Sequence, residues 1–136
     1  MKRRVWSGES DVYVQAALDT LWTLEPDPAL CVDAFEIIVA DDLVTRHGTD
    51  GSASRGRIYV DGTPKNPFYE CAIAGDPVPL ASLLLHEGFH LRFGRDEAGA
   101  YDAQLLFLRR VKAAPEWIAF VEQARARVLA AERKAG

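Results

Sequence analysis

The chain has 136 residues, 49% apolar and 26% charged, ordinary values for one globular domain. This length and composition exclude a collagen-like, low-complexity or strongly charged disordered chain. Sixteen Lys and Arg against twenty Asp and Glu leave a formal charge of -4, which argues against a nucleic-acid partner held by phosphate contacts.

No apolar run is long enough to span a membrane. Lys2, Arg3 and Arg4 lead into Ser7, Gly8, Glu9 and Asp11 rather than into the apolar stretch of a signal peptide, so the chain reads as cytoplasmic. Two cysteines, Cys31 and Cys71, are too few for a disulfide scaffold and read as thiols.

In chain order, Val14, Ala17, Leu18, Leu21 and Trp22 recur at helical spacing and predict a helix from about Ser10 to Leu24. Ser7 or Ser10 can cap it, Asp11 suits its positive end, and Pro26 and Pro28 stop it. Phe35 to Ala40 is short and rich in β-branched residues, a strand. Thr45 to Gly56 reads as a loop, and Arg57 to Val60 as a second strand closed by the Asp61-Gly62 turn. Thr63 to Pro67 reads as irregular chain, and the state of Phe68 to Ile73 stays open. Asp76-Pro77 then opens a helix that reaches Phe93, apolar nearly all round at Leu80 to Leu85 and therefore buried. Gly94 ends it. Asp96 starts a helix to about Ala114, with Ala100, Leu105, Leu108 and Val111 facing inward. Pro115 starts the last one, with Trp117, Ile118, Val121, Ala124, Val128 and Leu129 at helical spacing. The expected fold is a single α+β domain over residues 1–136: an N-terminal helix, a small antiparallel sheet, a buried central helix and two C-terminal helices.

The buried helix carries His86-Glu87-Gly88-Phe89-His90, an H-E-x-x-H motif. Residues four apart on a helix share a face, with Cβ atoms about 5–6 Å apart. Two imidazoles so placed can reach one metal ion. Glu87, about 100° further round the helix, flanks that ion without ligating it and can take a proton from a metal-bound water, whose pKa the ion lowers towards about 7. Two histidines and a glutamate are costly to bury without such a role.

A catalytic zinc site needs a third protein ligand. Gly94 can turn the chain back, which makes Asp96 and Glu97 the candidates. Asp96 is the natural N-cap of the next helix, so Glu97 is preferred. These residues resemble the zincin metallopeptidases, and more narrowly the gluzincin pattern. Glu97-Ala98-Gly99-Ala100-Tyr101 looks like the E-x-x-A-Y segment that follows H-E-x-x-H in many small bacterial zincin-like proteins. The resemblance covers about residues 77–105. It implies a minimal zincin-like domain with His86, His90 and Glu97 as zinc ligands and Glu87 as general base, acting on a peptide or protein substrate.

Two departures stand out. The step from His90 to Glu97 is short for a thermolysin-like enzyme. Metzincins use H-E-x-x-H-x-x-G-x-x-H or an aspartate at the last place; Asp96 falls there, but Gly94 is one position late. The resemblance also implies an edge strand before the active helix that holds an extended peptide by strand addition; Arg57 to Val60 is the candidate, and the plainer, compatible reading makes it a core strand paired with Phe35 to Val39.

Tyr101, one helical turn after Glu97, can donate a hydrogen bond to an oxyanion near the metal, although a half-buried core tyrosine is the plainer reading. His47 lies in a glycine-containing loop and reads as solvated. Peptide deformylases also pair H-E-x-x-H with an upstream cysteine; Glu70-Cys71 resembles that pattern but lacks its glycine. The function expected is therefore a zinc-dependent hydrolase, a peptidase in which Glu87 activates water. The alternatives are a zinc-containing binding or structural module without turnover, and a deformylase-like hydrolase using Cys71.

Overall fold

The computed structural model describes residues 4–5, 11–32, 36–41, 43–44 and 49–135. Strand β1 (Arg4–Val5) precedes helix α1 (Val12–Leu24), and a single 3-10 turn (Pro28–Leu30) leads to β2 (Glu36–Ala40). A hairpin of β3 (Gly51–Ser54) and β4 (Arg57–Asp61) follows. Four helices complete the chain: α2 (Pro67–Ile73), α3 (Val78–Phe93), α4 (Glu97–Arg110) and α5 (Pro115–Ala135). The α+β class is as expected. Among the described residues no helix is long and apolar enough to cross a membrane.

Asp11 itself caps α1, its carboxylate accepting from the amides of Tyr13 and Val14 at 3.0 and 2.9 Å. The expected caps Ser7 and Ser10, like Phe35 and His47, lie outside the described residues. Val14, Ala17, Leu18 and Leu21 are buried, the stripe that periodicity predicts.

The sheet corrects the sequence reading in three respects. Its order is β1-β2-β4-β3, with β1, β2 and β4 parallel and β3 antiparallel to β4. It is thus mixed rather than antiparallel. The cause is a tight turn: Ser54 pairs with Arg57, and Arg55 and Gly56 between them both have positive φ, 53° and 76°. Such a turn matches the natural twist of a hairpin. It drops β4 into the lane between β3 and β2. Gly51 to Ser54 is therefore strand and not loop. The edge beside the helices is β3, while β4, the expected edge, is paired on both sides.

Phe68 to Ile73, left open by the sequence, is the body of α2. Asn66 caps it through its side-chain oxygen on the Phe68 amide at 3.0 Å, and Pro67 takes the first helical position. Asn66 is fully buried and its Nδ2 also donates to the carbonyls of Asp50 and Asp61, at 3.2 and 2.8 Å. One side chain thereby joins the start of α2 to the start of β3 and the end of β4.

Helix α3 is the centre of the domain. Every residue from Pro79 to Gly88 is buried, and α1, α2, α4, β3 and β4 all pack on it. It starts one residue later than expected, with Pro77 as N-cap and Asp76 accepting from the Val78 amide at 3.0 Å. Helix α4 ends at Arg110, short of the expected Ala114. Cys31 and Cys71 are free thiols, as expected.

Asp61 closes β4 and is fully buried. Burial raises its pKa, but hydrogen bonds from the Thr63 hydroxyl and from the Val44 and Thr63 amides, with the Lys65 charge, more than offset this, and the carboxyl is held below its usual range. A depressed folded pKa gives stability that is present above the unfolded value, about 3.9, and lost as pH falls through the folded one. Asp61→Ala is expected to cost about 1–3 kcal/mol at neutral pH. It should also flatten the loss of stability below about pH 4, as read from urea midpoints across pH.

Candidate metal centre

Helix α3 delivers His86, Glu87 and His90, and α4 delivers Glu97 at its first position. The connection is Gly94, Arg95 and Asp96. Gly94 sits at φ 90°, ψ -163°, a backbone region open essentially to glycine alone, and this reverses the chain so tightly that Glu97 meets both imidazoles. Glu97 Oε1 lies 2.5 Å from His90 Nε2 and 3.4 Å from His86 Nε2. Asp96 caps α4 instead, its Oδ1 accepting from the Gly99 amide at 3.0 Å. The choice of Glu97 over Asp96 therefore agrees with where each carboxylate points.

The imidazole tautomers follow from their outer partners. The Ser82 hydroxyl donates to the Pro79 carbonyl at 2.7 Å, so its lone pair receives Gln104 Nε2 at 3.1 Å. That fixes the amide and turns Gln104 Oε1, an acceptor, to His86 Nδ1 at 2.9 Å. The proton of His86 therefore sits on Nδ1. His90 Nδ1 likewise donates to the Gly94 carbonyl at 3.0 Å. Both rings consequently aim Nε2 at the same point, the arrangement that metal-ligating histidines adopt with their outer partners.

The donor set fits a divalent ion. His86, His90 and Glu97 each offer one ligand atom, all within 4.8 Å of one another. Two neutral imidazoles and one carboxylate match a catalytic zinc site with three protein ligands. Cys71 stands on α2 and is not part of this cluster among the described residues.

Glu87 is only 7% exposed and faces the same cavity. Burial pushes its carboxyl up; the imidazoles and Arg95 pull it down and Glu97 adds to the rise, with a net upward shift. Glu97 is held low, first by its hydrogen bond to His86 and then by both imidazoles, against the effect of burial. Tyr101 stands edge-on to His86, ring centroids 4.5 Å apart. Burial, with the charges of Glu97 and Glu87, pushes its phenol up to about 12, so at neutral pH it remains a hydrogen-bond donor.

The cavity measures about 490 Å³, within the common range of small-ligand sites, about 300–1,000 Å³. Edge strand β3 forms one side. A Cβ built on Gly51 would come 3.2 Å from Glu87 Oε2 and 3.3 Å from Leu83 Cδ1, so the strand lies directly against the carboxylate. Asp50, next to it, also lines the cavity and is pushed up to about 6 by burial and the Asp61 charge.

Sequence reasoning missed Ser82, Gln104 and the glycine at 51. A signal existed for Gln104. Ala100, Gln104 and Leu108 form one buried stripe of α4, and a glutamine breaking an apolar stripe needs buried partners.

If the cluster holds a divalent ion, Gln104→Leu should weaken its binding about 10–100-fold, by freeing the His86 ring from its outer partner. Competition with a chromophoric chelator measures this; unchanged affinity would deny Gln104 its orienting role. Comparison with protein-family models, with curated proteins and with solved structures finds no match, so the functional reading rests on this geometry.

Proposed function

We propose that the chain is a zinc-dependent hydrolase, a small zincin-like metallopeptidase of the cytoplasm. The observation that carries this reading is the convergence of His86 Nε2, His90 Nε2 and Glu97 Oε1 beside a buried glutamate, in a cavity bounded by a sheet edge. Three donors rather than four among the described residues favour a catalytic over a structural zinc site, because a structural site closes its fourth position with a protein ligand.

A divalent ion bound there would act as a Lewis acid, acidifying a coordinated water and polarising a carbonyl. The remaining roles belong to the chain. Glu87, its carboxylate raised by burial, takes a proton from the attacking water and passes it to the leaving nitrogen. Tyr101 keeps its proton and donates to the carbonyl oxygen as charge develops there. Gln104 and the Gly94 carbonyl hold the imidazoles in register. Among the described residues strand β3 has β4 on one side only, so its outer edge suits an extended peptide by strand addition. The lack of a disulfide between Cys31 and Cys71 agrees with a reducing compartment.

Protein purified without a metal column should carry about one equivalent of zinc, measured by elemental analysis. Protein that is free of zinc and rejects added zinc would overturn the proposal. Glu87→Gln should keep the metal and lower turnover of a peptide library by about 10²–10⁴-fold, followed by mass spectrometry; loss of metal in that variant would make Glu87 a ligand. Gly51→Ala pushes on the Glu87 carboxylate and should cut turnover while leaving zinc stoichiometry unchanged.

A further inference from the structure

One face of α5 also lines the cavity: Phe120, Val121, Ala124, Arg127 and Val128. They lie one, four, seven and eight residues after Phe120, which puts them on a single side of the helix. The face is apolar at its start and cationic at its end. Phe120 is 37% exposed and leans on Trp117 and Phe68, with ring centroids 5.4 and 5.7 Å away.

Arg127 differs from the other arginines of α4 and α5 for which pairs are seen. Arg109 pairs with Glu122 at 2.8 Å, Arg110 with Glu25 at 3.1 Å and Arg125 with Asp102 at 3.0 Å, all in contacts that tie helices together. Arg127 lines the cavity and has no carboxylate within ion-pair distance among the described residues. Its charge reaches the Tyr101 phenol, which it stabilises as the anion against the larger effect of burial. Arg95, in the turn between α3 and α4, lines the same cavity, and its charge is felt at Glu87. The carboxylates of Glu87 and Glu97 face a divalent ion when one is bound, so Asp50 is the remaining acid in the lining.

A guanidinium without a counter-ion beside an apolar wall is a receptor for a carboxylate, which it grips through paired N–H donors. We infer that the cavity selects substrates that carry a carboxylate next to an apolar side chain, with Arg127 receiving the carboxylate and the Phe120 face of α5 receiving the side chain. This rests on the metallohydrolase reading and specifies its substrate class. The carboxylate is either the C-terminus of a peptide or an acidic side chain within it. The chemistry at Arg127 is the same in both cases.

The test uses zinc-loaded Glu87→Gln protein, so that bound peptides are not consumed. Three N-acetylated tetrapeptides of apolar residues serve as probes: one with a free C-terminal carboxylate, one with a C-terminal amide, and an amide with one internal glutamate. Calorimetry is expected to show at least one carboxylate-bearing peptide binding about tenfold or more tighter than the plain amide, the size of one charge-assisted contact. Preference for the free acid identifies the C-terminus, and preference for the glutamate peptide identifies a side chain. Adding Arg127→Gln should erase the margin without altering zinc stoichiometry, and Arg127→Lys should restore part of it. Equal binding of the three probes, no binding of any, or a margin that survives Arg127→Gln and disappears with Arg95→Gln overturns the inference. The two readings fail separately: wild-type protein that binds zinc and cleaves the plain amide as fast as the free acid keeps the hydrolase reading and loses this one.

Discussion

The fold depends on burying a helix that is apolar on nearly every side and yet carries two ionisable groups, His86 and Glu87, in its buried stretch. Helix α3 has no solvent face from Pro79 to Gly88, so neighbours must enclose it all round. Helices α1, α2 and α4 and the β3–β4 hairpin do so. Enclosure of Leu80, Leu84 and Leu85 supplies apolar burial, roughly 1.5–3 kcal/mol for each such side chain. The same enclosure draws His86 and Glu87 out of water, a cost that a site with chemistry to perform can justify.

The polar groups inside this shell are handled by two different means. His86 is satisfied locally, through a chain that runs by Gln104 and Ser82 to the Pro79 carbonyl and ends within α3 itself. Glu87 is left facing the cavity with a raised carboxyl. A satisfied ring keeps one orientation, whereas a carboxylate raised by burial is a better base.

Much of this was legible in the sequence because the relevant spacing is local. The H-E-x-x-H motif, the apolar run before it, Gly94 and the acids after it all lie within one helix-turn-helix stretch, where 3.6-residue periodicity and capping rules apply directly. The choice between Asp96 and Glu97 could be made from capping alone. What stayed hidden was non-local. The pairing of Arg57 to Val60 with the earlier strand is legible, but its parallel direction is decided by where a hairpin folds back, and the register that sets Ile37 opposite Ile58 cannot be seen from either segment. Asn66 was read as irregular chain because its second function, holding the Asp50 and Asp61 carbonyls, joins positions far apart. Arg127 is exposed, and its place at the cavity shows only once the last helix is packed.

Strand β3 escaped notice for its composition. Gly-Ser-Ala-Ser has no β-branched or aromatic residue, so it carries none of the usual marks of a strand. That blandness has a consequence for how the molecule behaves among its own copies. An open edge beside a cavity is a template on which other chains could stack, and the danger grows with its length and greasiness. Four small residues make a short template with little apolar surface to reward a stray partner. This edge, unpaired among the described residues, is therefore a poor nucleus for aggregation.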